Sequence, residues 1–186
     1  MTVRAERPGD RAAIDALLAA AFAGHPIVPL MASLRASPDW RDLGFVAEGD
    51  AVEGYVAFTA GLLDRRDRLV EVLVLSPLAV APAAQSSGVG TALVREALAR
   101  LDRGRWSAVF LEGDPGYYAR FGFTAAEPLG TRRPSLRIPG PAFQVLRLDP
   151  GADLAGTLVY PRAFWDHDCV GLRDPDLAAV EAQLGG

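Results

Sequence analysis

The most informative segment of this chain joins an apolar run to an amphipathic run through a short glycine loop. It reads Leu78-Ala79-Val80-Ala81-Pro82-Ala83-Ala84-Gln85-Ser86-Ser87-Gly88-Val89-Gly90-Thr91. After the glycines, Val94, Leu98 and Leu101 recur at helical spacing, which predicts a helix over Gly88 to Asp102. Pro77, just before the segment, cannot donate to a strand ladder, so it predicts a bulge or the place where two strands part.

The start of this predicted helix has the composition of an anion site. The first turn of a helix exposes unpaired backbone N–H groups and a partial positive charge, and ordinary helices often place an acid there. Here no acid occurs between Ala81 and Arg95, and the loop carries two glycines and three hydroxyl residues, Ser86, Ser87 and Thr91. The segment therefore predicts a site for an external anion, most naturally a phosphate.

Several phosphate-binding patterns compete for this loop. The P-loop requires a lysine, and all 19 of the chain's Lys and Arg residues are arginine. The dinucleotide fingerprint would place a third glycine where Leu93 stands. What remains is Gln85-x-x-Gly88-x-Gly90, which by itself is equally compatible with glycines that serve only tight packing of helix on strand.

Two elements, in order, resemble the GNAT superfamily of N-acetyltransferases. Residues 78–94 resemble motif A of that family, and Tyr118-Ala119-Arg120-Phe121-Gly122-Phe123 resembles its Tyr-x-x-x-Gly-Phe element. The front of the chain fits as well, with a helix after the first strand and then a hairpin built on Val46-Ala47-Glu48 and Val52-Glu53-Gly54-Tyr55-Val56. The resemblance covers roughly residues 3–148 and is closest to an uncharacterised bacterial branch of the superfamily.

The resemblance implies an α/β (α+β) fold with a mixed, mostly antiparallel central sheet, parted central strands and helices on both faces. It implies one N-acetyltransferase domain over residues 1–148, with residues 149–186 as a C-terminal extension packed on the same domain. It also implies acetyl-CoA as co-substrate in a ternary complex with a primary amine, and no metal.

The resemblance assigns roles residue by residue. Leu78, Ala79 and Val80 would offer a strand edge to the pantetheine arm, and the Val80 N–H would donate to the oxyanion. Tyr118 would serve the leaving thiolate as acid, although by composition alone it reads as a core aromatic with a satisfied hydroxyl. The pyrophosphate would lie on the backbone N–H groups of Gln85, Ser86, Ser87, Gly88, Val89, Gly90 and Thr91.

The general base is left open. Many family members carry a glutamate where this chain has Ser76, which cannot act as a base at neutral pH. The alternatives are Glu112, a water held at Ser76, and His167. The sequence around Glu112 is equally typical of a solvated strand end, and His167 is equally typical of a surface histidine. Glu71 lies too deep in its strand to reach the thioester.

Composition and net charge limit the kinds of partner and the cellular location expected for this chain. The chain of 186 residues has a net charge of −4 and no block of five like charges, so a nucleic-acid partner is not expected. Its single cysteine, Cys169, fits a reducing cytoplasm, and its apolar runs are too short for a membrane span.

The predicted function is acetyl transfer to a small-molecule amine by a monomer or homodimer. The alternatives are a CoA-binding sensor with little or no turnover and an enzyme for protein N-termini or lysines.

The remaining sequence predicts elements of ordinary kind. Trp40, Trp106 and Trp165 are expected in the core or in pocket walls. Residues 128–141 predict a long loop, and residues 149–186 give no assignable pattern. The other predicted elements are strands at Thr2–Glu6, Leu43–Glu48, Val52–Ala60, Leu69–Leu75, Trp106–Leu111 and Phe143–Leu148, and helices after Pro8, at Val28–Arg35 and at Tyr117–Phe121.

Overall fold

The computed structural model describes residues 1–184, in which nine strands and six helices occur. The strands are β1 Thr2–Ala5, β2 Trp40–Glu48, β3 Val52–Asp64, β4 Leu69–Val80, β5 Ala108–Glu112, β6 Thr124–Ala125, β7 Thr131–Arg132, β8 Phe143–Arg147 and β9 Gly156–Val159. The helices are α1 Arg11–Ala21, α2 Ile27–Ala36, α3 Val89–Ala99, α4 Pro115–Tyr118, α5 Arg162–Asp166 and α6 Asp176–Leu184. The sheet is mixed and mostly antiparallel, which confirms the predicted fold class.

The chain divides into two compact units. The first consists of Met1–Thr59 and Leu75–Asp102, and the second of Ala60–Val74 and the described residues from Arg103 onward. β3 and β4 each contribute residues to both units. The predicted boundary at residue 148 is a different division, and it stays a prediction.

The first unit carries the glycine loop. β1 pairs with β2, and β2 with β3, in antiparallel register, and the last residues of β4 complete this part of the sheet. α3 packs against β1 and β2. Gly54 in β3 lies directly beneath α3, because a Cβ there would come within 3.2 Å of the side chains of Val89 and Leu93. This close approach fixes the start of α3 relative to the sheet.

The second unit is built around β5. β4 pairs with β5 in parallel at Leu73 and Val74, and β5 pairs with β8 in antiparallel register along its length. β9 comes from the stretch without an assignable pattern, and it pairs with β3 at Leu62 to Asp64 and with β7. The tail is therefore part of the sheet, which its local sequence did not predict.

Several local predictions need correction. The strand predicted to end at Leu75 is longer, because β4 runs from Leu69 through Ser76 and Pro77 to Val80. The predicted loop 128–141 contains the short strand β7. Trp165 is 42% exposed and belongs neither to the core nor to a wall, whereas Trp106 is buried as expected. In the part of the chain that the structure describes, no helix is long and apolar enough to cross a bilayer. The cytoplasmic location and the oligomeric state stay predictions.

Candidate active site

The glycine loop leaves β4 and enters α3 through two left-handed residues. A 3₁₀ turn at Pro82–Ala84 is followed by Ser86 at φ 62° and Gly88 at φ 89°, and α3 begins at Val89. A Cβ on Gly88 would meet nothing within 4 Å, so glycine is required there for its backbone conformation rather than for space. The turn leads directly into the first turn of α3, whose N–H groups have no partner within the helix.

No side chain caps these N–H groups. Gly88 is the N-cap residue, no side-chain cap bond is present, and the first turn contains no acid. The uncapped N-terminus keeps its partial positive charge, as the sequence predicted. Gln85, Ser86, Ser87 and Gly88 are exposed at this point, so an anion could reach the backbone from solvent.

The polar side chains of the loop hold the loop itself. The Gln85 amide donates to the Val80 carbonyl at 3.3 Å, and the Ser87 hydroxyl donates to the Ala84 carbonyl at 2.6 Å. The Ala81 N–H donates to the Glu53 carbonyl at 2.8 Å, which ties the loop to β3. These contacts lie within the loop and at its junction with β3.

Tyr118 closes the short helix α4 in the second unit. Asp114 caps this helix by accepting the Gly116 N–H at 2.8 Å, and Gly122 ends the following turn at φ 89°. The Tyr118 ring is 9% exposed and packs edge-on against Phe123. It also lies against the backbone at Gly113, where a Cβ would collide with ring carbons. Gly113 thus makes room for the tyrosine.

The Tyr118 hydroxyl is available as a donor. Burial raises the pKa of this phenol above its ordinary value, with smaller contributions from Tyr117 and Asp114, so it stays protonated at neutral pH. Tyr117 packs edge-to-face against Tyr118 and Phe121 and carries the Arg120 guanidinium over its ring, consistent with a packing role.

Glu112, at the end of β5, is not a solvated strand end. Burial raises the pKa of its carboxyl to about 7, against the opposing effects of its hydrogen bonds and of the Arg137 charge. The carboxylate accepts the Gly171 N–H at 2.9 Å and the Tyr160 hydroxyl. Both partners lie in the tail that the sequence left unassigned, so no local signal could have identified this environment.

The other candidate bases lie in less distinctive surroundings. His167 follows α5 and is partly exposed, and Ser76 is partly buried in β4. Glu71 forms an ion pair with Arg105 at 3.9 Å. His25 is exposed.

The arginines of the loop at 128–141 have local roles. Arg137 binds Asp168 at 2.7 Å, and Arg133 donates to the Ile138 carbonyl at 2.7 Å. Over residues 1–184 there is no group of three or more His, Cys, Asp or Glu side chains that could hold a metal ion.

Comparison with known proteins gives a consistent set of relatives. The family model of the acetyltransferase (GNAT) domain matches residues 40–125. The uncharacterized N-acetyltransferase YhbS of Escherichia coli (strain K12) is 38% identical over 152 residues, covering 80% of this chain and 87% of the relative.

Two solved structures share 34% identity with the chain. One is a GNAT family N-acetyltransferase (YhbS) from Escherichia coli in complex with CoA, with a TM-score of 0.78 and coverage of 88% of this chain and 91% of that one. The other is a GNAT family acetyltransferase from Brucella melitensis in complex with acetyl-CoA, with a TM-score of 0.70 and coverage of 88% and 97%.

Proposed function

The chain belongs to the GNAT family of N-acetyltransferases, and from that premise we propose that it transfers the acetyl group of acetyl-CoA to a primary amine of a small molecule. The observation that carries the choice of donor is the pair of 34% identical structures that hold CoA and acetyl-CoA. The uncapped start of α3 supports the same choice, because it suits a pyrophosphate.

We assign the cofactor to the backbone of the first unit. The N–H groups of residues 85–91 bind the pyrophosphate, and the edge of β4 at Leu78, Ala79 and Val80 pairs with the amides of the pantetheine arm as an added strand would. The support for this assignment is the left-handed entry at Ser86 and Gly88 and the absence of any acid from the first turn of α3.

The chemistry is a direct attack of a neutral amine nitrogen on the thioester carbonyl. A C–N bond forms, the carbonyl oxygen becomes an oxyanion that accepts the Val80 N–H, and the C–S bond then breaks. Tyr118 gives its proton to the departing thiolate. The proton lost by the amine goes to a base, for which Glu112 is our choice.

Two observations favour Glu112 over His167 and over a water at Ser76. With a pKa of about 7, the Glu112 carboxyl is partly ionised at neutral pH. A pKa near the working pH is also the value at which a general base is most effective. Glu112 also directly precedes Gly113, on which the Tyr118 ring packs, so the proposed base and acid belong to one local structure.

The test is a two-readout assay with acetyl-CoA and a panel of primary amines. Released CoA is followed as free thiol, and the N-acetylated product is quantified by mass spectrometry. We expect at least one amine to give thiol and N-acetyl product in equal amounts. Thiol release at the same rate with and without every amine, and with no acetylated amine, would contradict the proposed reaction.

A further inference from the structure

The second unit contains a cavity of about 420 Å³ beside the proposed base. This volume is within the range of pockets that bind small molecules. The cavity lies beside the end of β5 and the start of α4 and is walled by the C-terminal tail. Its lining residues are Glu112, Gly113, Asp114, Pro115, Pro139, Ala142, Leu172, Val180, Gln183 and Leu184.

The lining is apolar with one sign of charge. Glu112 and Asp114 are the two ionisable residues among the ten, and no arginine or histidine lines the cavity. Asp114 uses one oxygen to cap α4, and Glu112 accepts bonds from Gly171 and Tyr160. Arg137, whose charge acts on Glu112, is held by Asp168 at 2.7 Å. Such a cavity suits a cation that carries an apolar body.

The cavity is joined to the proposed chemistry through Gly113. This residue lines the cavity and also packs against the Tyr118 ring. Gly113 is held in place by its N–H, which donates to the Ala142 carbonyl at 3.0 Å, and by its carbonyl, which accepts the Gln144 amide at 2.9 Å. A ligand against Gly113 and Glu112 would therefore lie beside the proposed base and against the residue on which the ring of the proposed acid packs.

We propose that this cavity is the acceptor site, and that its ligand is a primary amine with a compact apolar body whose ammonium group pairs with Glu112. The inference rests on the proposed function, because it names the amine that the proposed reaction acetylates. α6 and the segment before it supply the apolar wall through Leu172, Val180 and Leu184.

The experiment measures binding separately from turnover. Phenethylamine is the probe, and phenethyl alcohol, which has the same body without the ammonium group, is its neutral match. Both are titrated by calorimetry into the full chain, and acetyl-CoA affinity and melting temperature are measured for each protein. Three variants are compared: Glu112→Gln, Ala142→Leu and, as control, Glu181→Gln, which removes an exposed charge on α6 outside the lining.

We expect phenethylamine to bind more tightly than phenethyl alcohol. Glu112→Gln should weaken phenethylamine about 10- to 100-fold, the range for a hydrogen bond between charged groups, and should abolish the preference over the alcohol. Ala142→Leu adds three carbons to the wall and should weaken both probes together, whereas Glu181→Gln should change neither by more than about twofold. Acetyl-CoA affinity should be the same in all four proteins. If Glu112→Gln does not fold, the loss of probe binding in Ala142→Leu still tests whether the cavity is the acceptor site.

Equal binding of phenethylamine to the parent, Glu112→Gln and Ala142→Leu would overturn the inference. Loss of acetyl-CoA affinity in the cavity variants, with amine binding unchanged, would also overturn it, since the cavity would then hold part of the cofactor. If phenethylamine binds in a Glu112-dependent way but no amine is acetylated, the site stands and the proposed function fails. If amines are acetylated but no cavity variant affects them, the function stands and the site fails.

Discussion

The glycine loop of the first unit and the Glu112 environment of the second use opposite kinds of chemistry. The loop is exposed and contains two left-handed residues, and the groups that we propose for cofactor binding there are backbone N–H groups. Glu112 is a side-chain acid with a pKa raised by burial, and its hydrogen-bond partners come from the distant tail. The first site is made by local conformation, and the second by long-range packing.

This difference predicts which substitutions should affect each region. A backbone site tolerates changes of its neutral side chains but not a negative charge placed among its amides. A buried acid is sensitive to most substitutions around it, because its hydrogen-bond partners and its burial together determine its pKa. Cofactor affinity should therefore respond to the loop, whereas turnover and pH dependence should respond to Tyr118 and Glu112.

Gly88→Glu should have the largest effect. In the proposed site the carboxylate would compete with the pyrophosphate for the loop amides, so acetyl-CoA affinity should fall by more than about 100-fold while the fold is largely retained. The left-handed conformation alone costs about 1–2 kcal/mol for most residues, and Gly88→Asn controls for it because asparagine tolerates that region. Calorimetry that found Gly88→Asn as weak as Gly88→Glu would attribute the loss to backbone strain rather than to charge.

Tyr118→Phe should come next. It removes one oxygen and keeps the ring that packs on Gly113 and Phe123. A positioned acid contributes about 10²- to 10⁴-fold, and a CoA thiolate leaves with little help, so we expect kcat to fall about 10- to 1000-fold. KM for acetyl-CoA should stay nearly constant, as for an interaction made mainly in the transition state. A raised KM with an unchanged kcat would instead give the hydroxyl a role in binding.

Glu112 should impose a pH dependence on stability. Its folded pKa of about 7 lies above the ordinary value of 4.5, so the folded chain holds this proton more tightly than the unfolded chain. The contribution of this proton to the free energy of unfolding is complete below about pH 4.5. It is lost as the pH rises through 7, and it amounts to at most about 3 kcal/mol. The free energy of unfolding in urea, measured from pH 5 to 8, should fall more steeply in the parent than in Glu112→Gln. Parallel curves would show that Glu112 does not titrate in this window.

Ser76→Ala should have the smallest effect. Serine cannot accept the ammonium proton at neutral pH, so the variant should keep kcat within about threefold of the parent, with a shifted pH profile if a bound water is lost. Steady-state rates across pH check this. A folded variant that binds acetyl-CoA normally but has no turnover would place Ser76 in the proton path and weaken the case for Glu112.

Much of the first unit could be predicted from the sequence because its signals are local. The uncapped start of α3 and the left-handed Gly88 follow from a short stretch of residues whose composition and order determine the turn. The end at Gly122 of the turn that follows α4 was predictable for the same reason. The family resemblance then gave that loop and Tyr118 specific roles, which stay proposals.

The Glu112 environment could not be predicted because its determinants are far apart in the chain. Tyr160 and Gly171 lie in a tail with no clear periodicity, and β9 becomes a strand by pairing with the edge of β3. Nothing in the local sequence around Glu112 distinguishes a buried acid from a solvated strand end. The same holds for the cavity, which needs residues from the segment just before β8 and from α6 to close it.

The central claim is that the loop binds the cofactor while Tyr118 acts only in the chemical step, and calorimetric titration of acetyl-CoA into three proteins tests it most directly. The account predicts the same dissociation constant for the parent and Tyr118→Phe, and no measurable binding to Gly88→Glu. Unchanged affinity in Gly88→Glu, or loss of affinity in Tyr118→Phe, would contradict it.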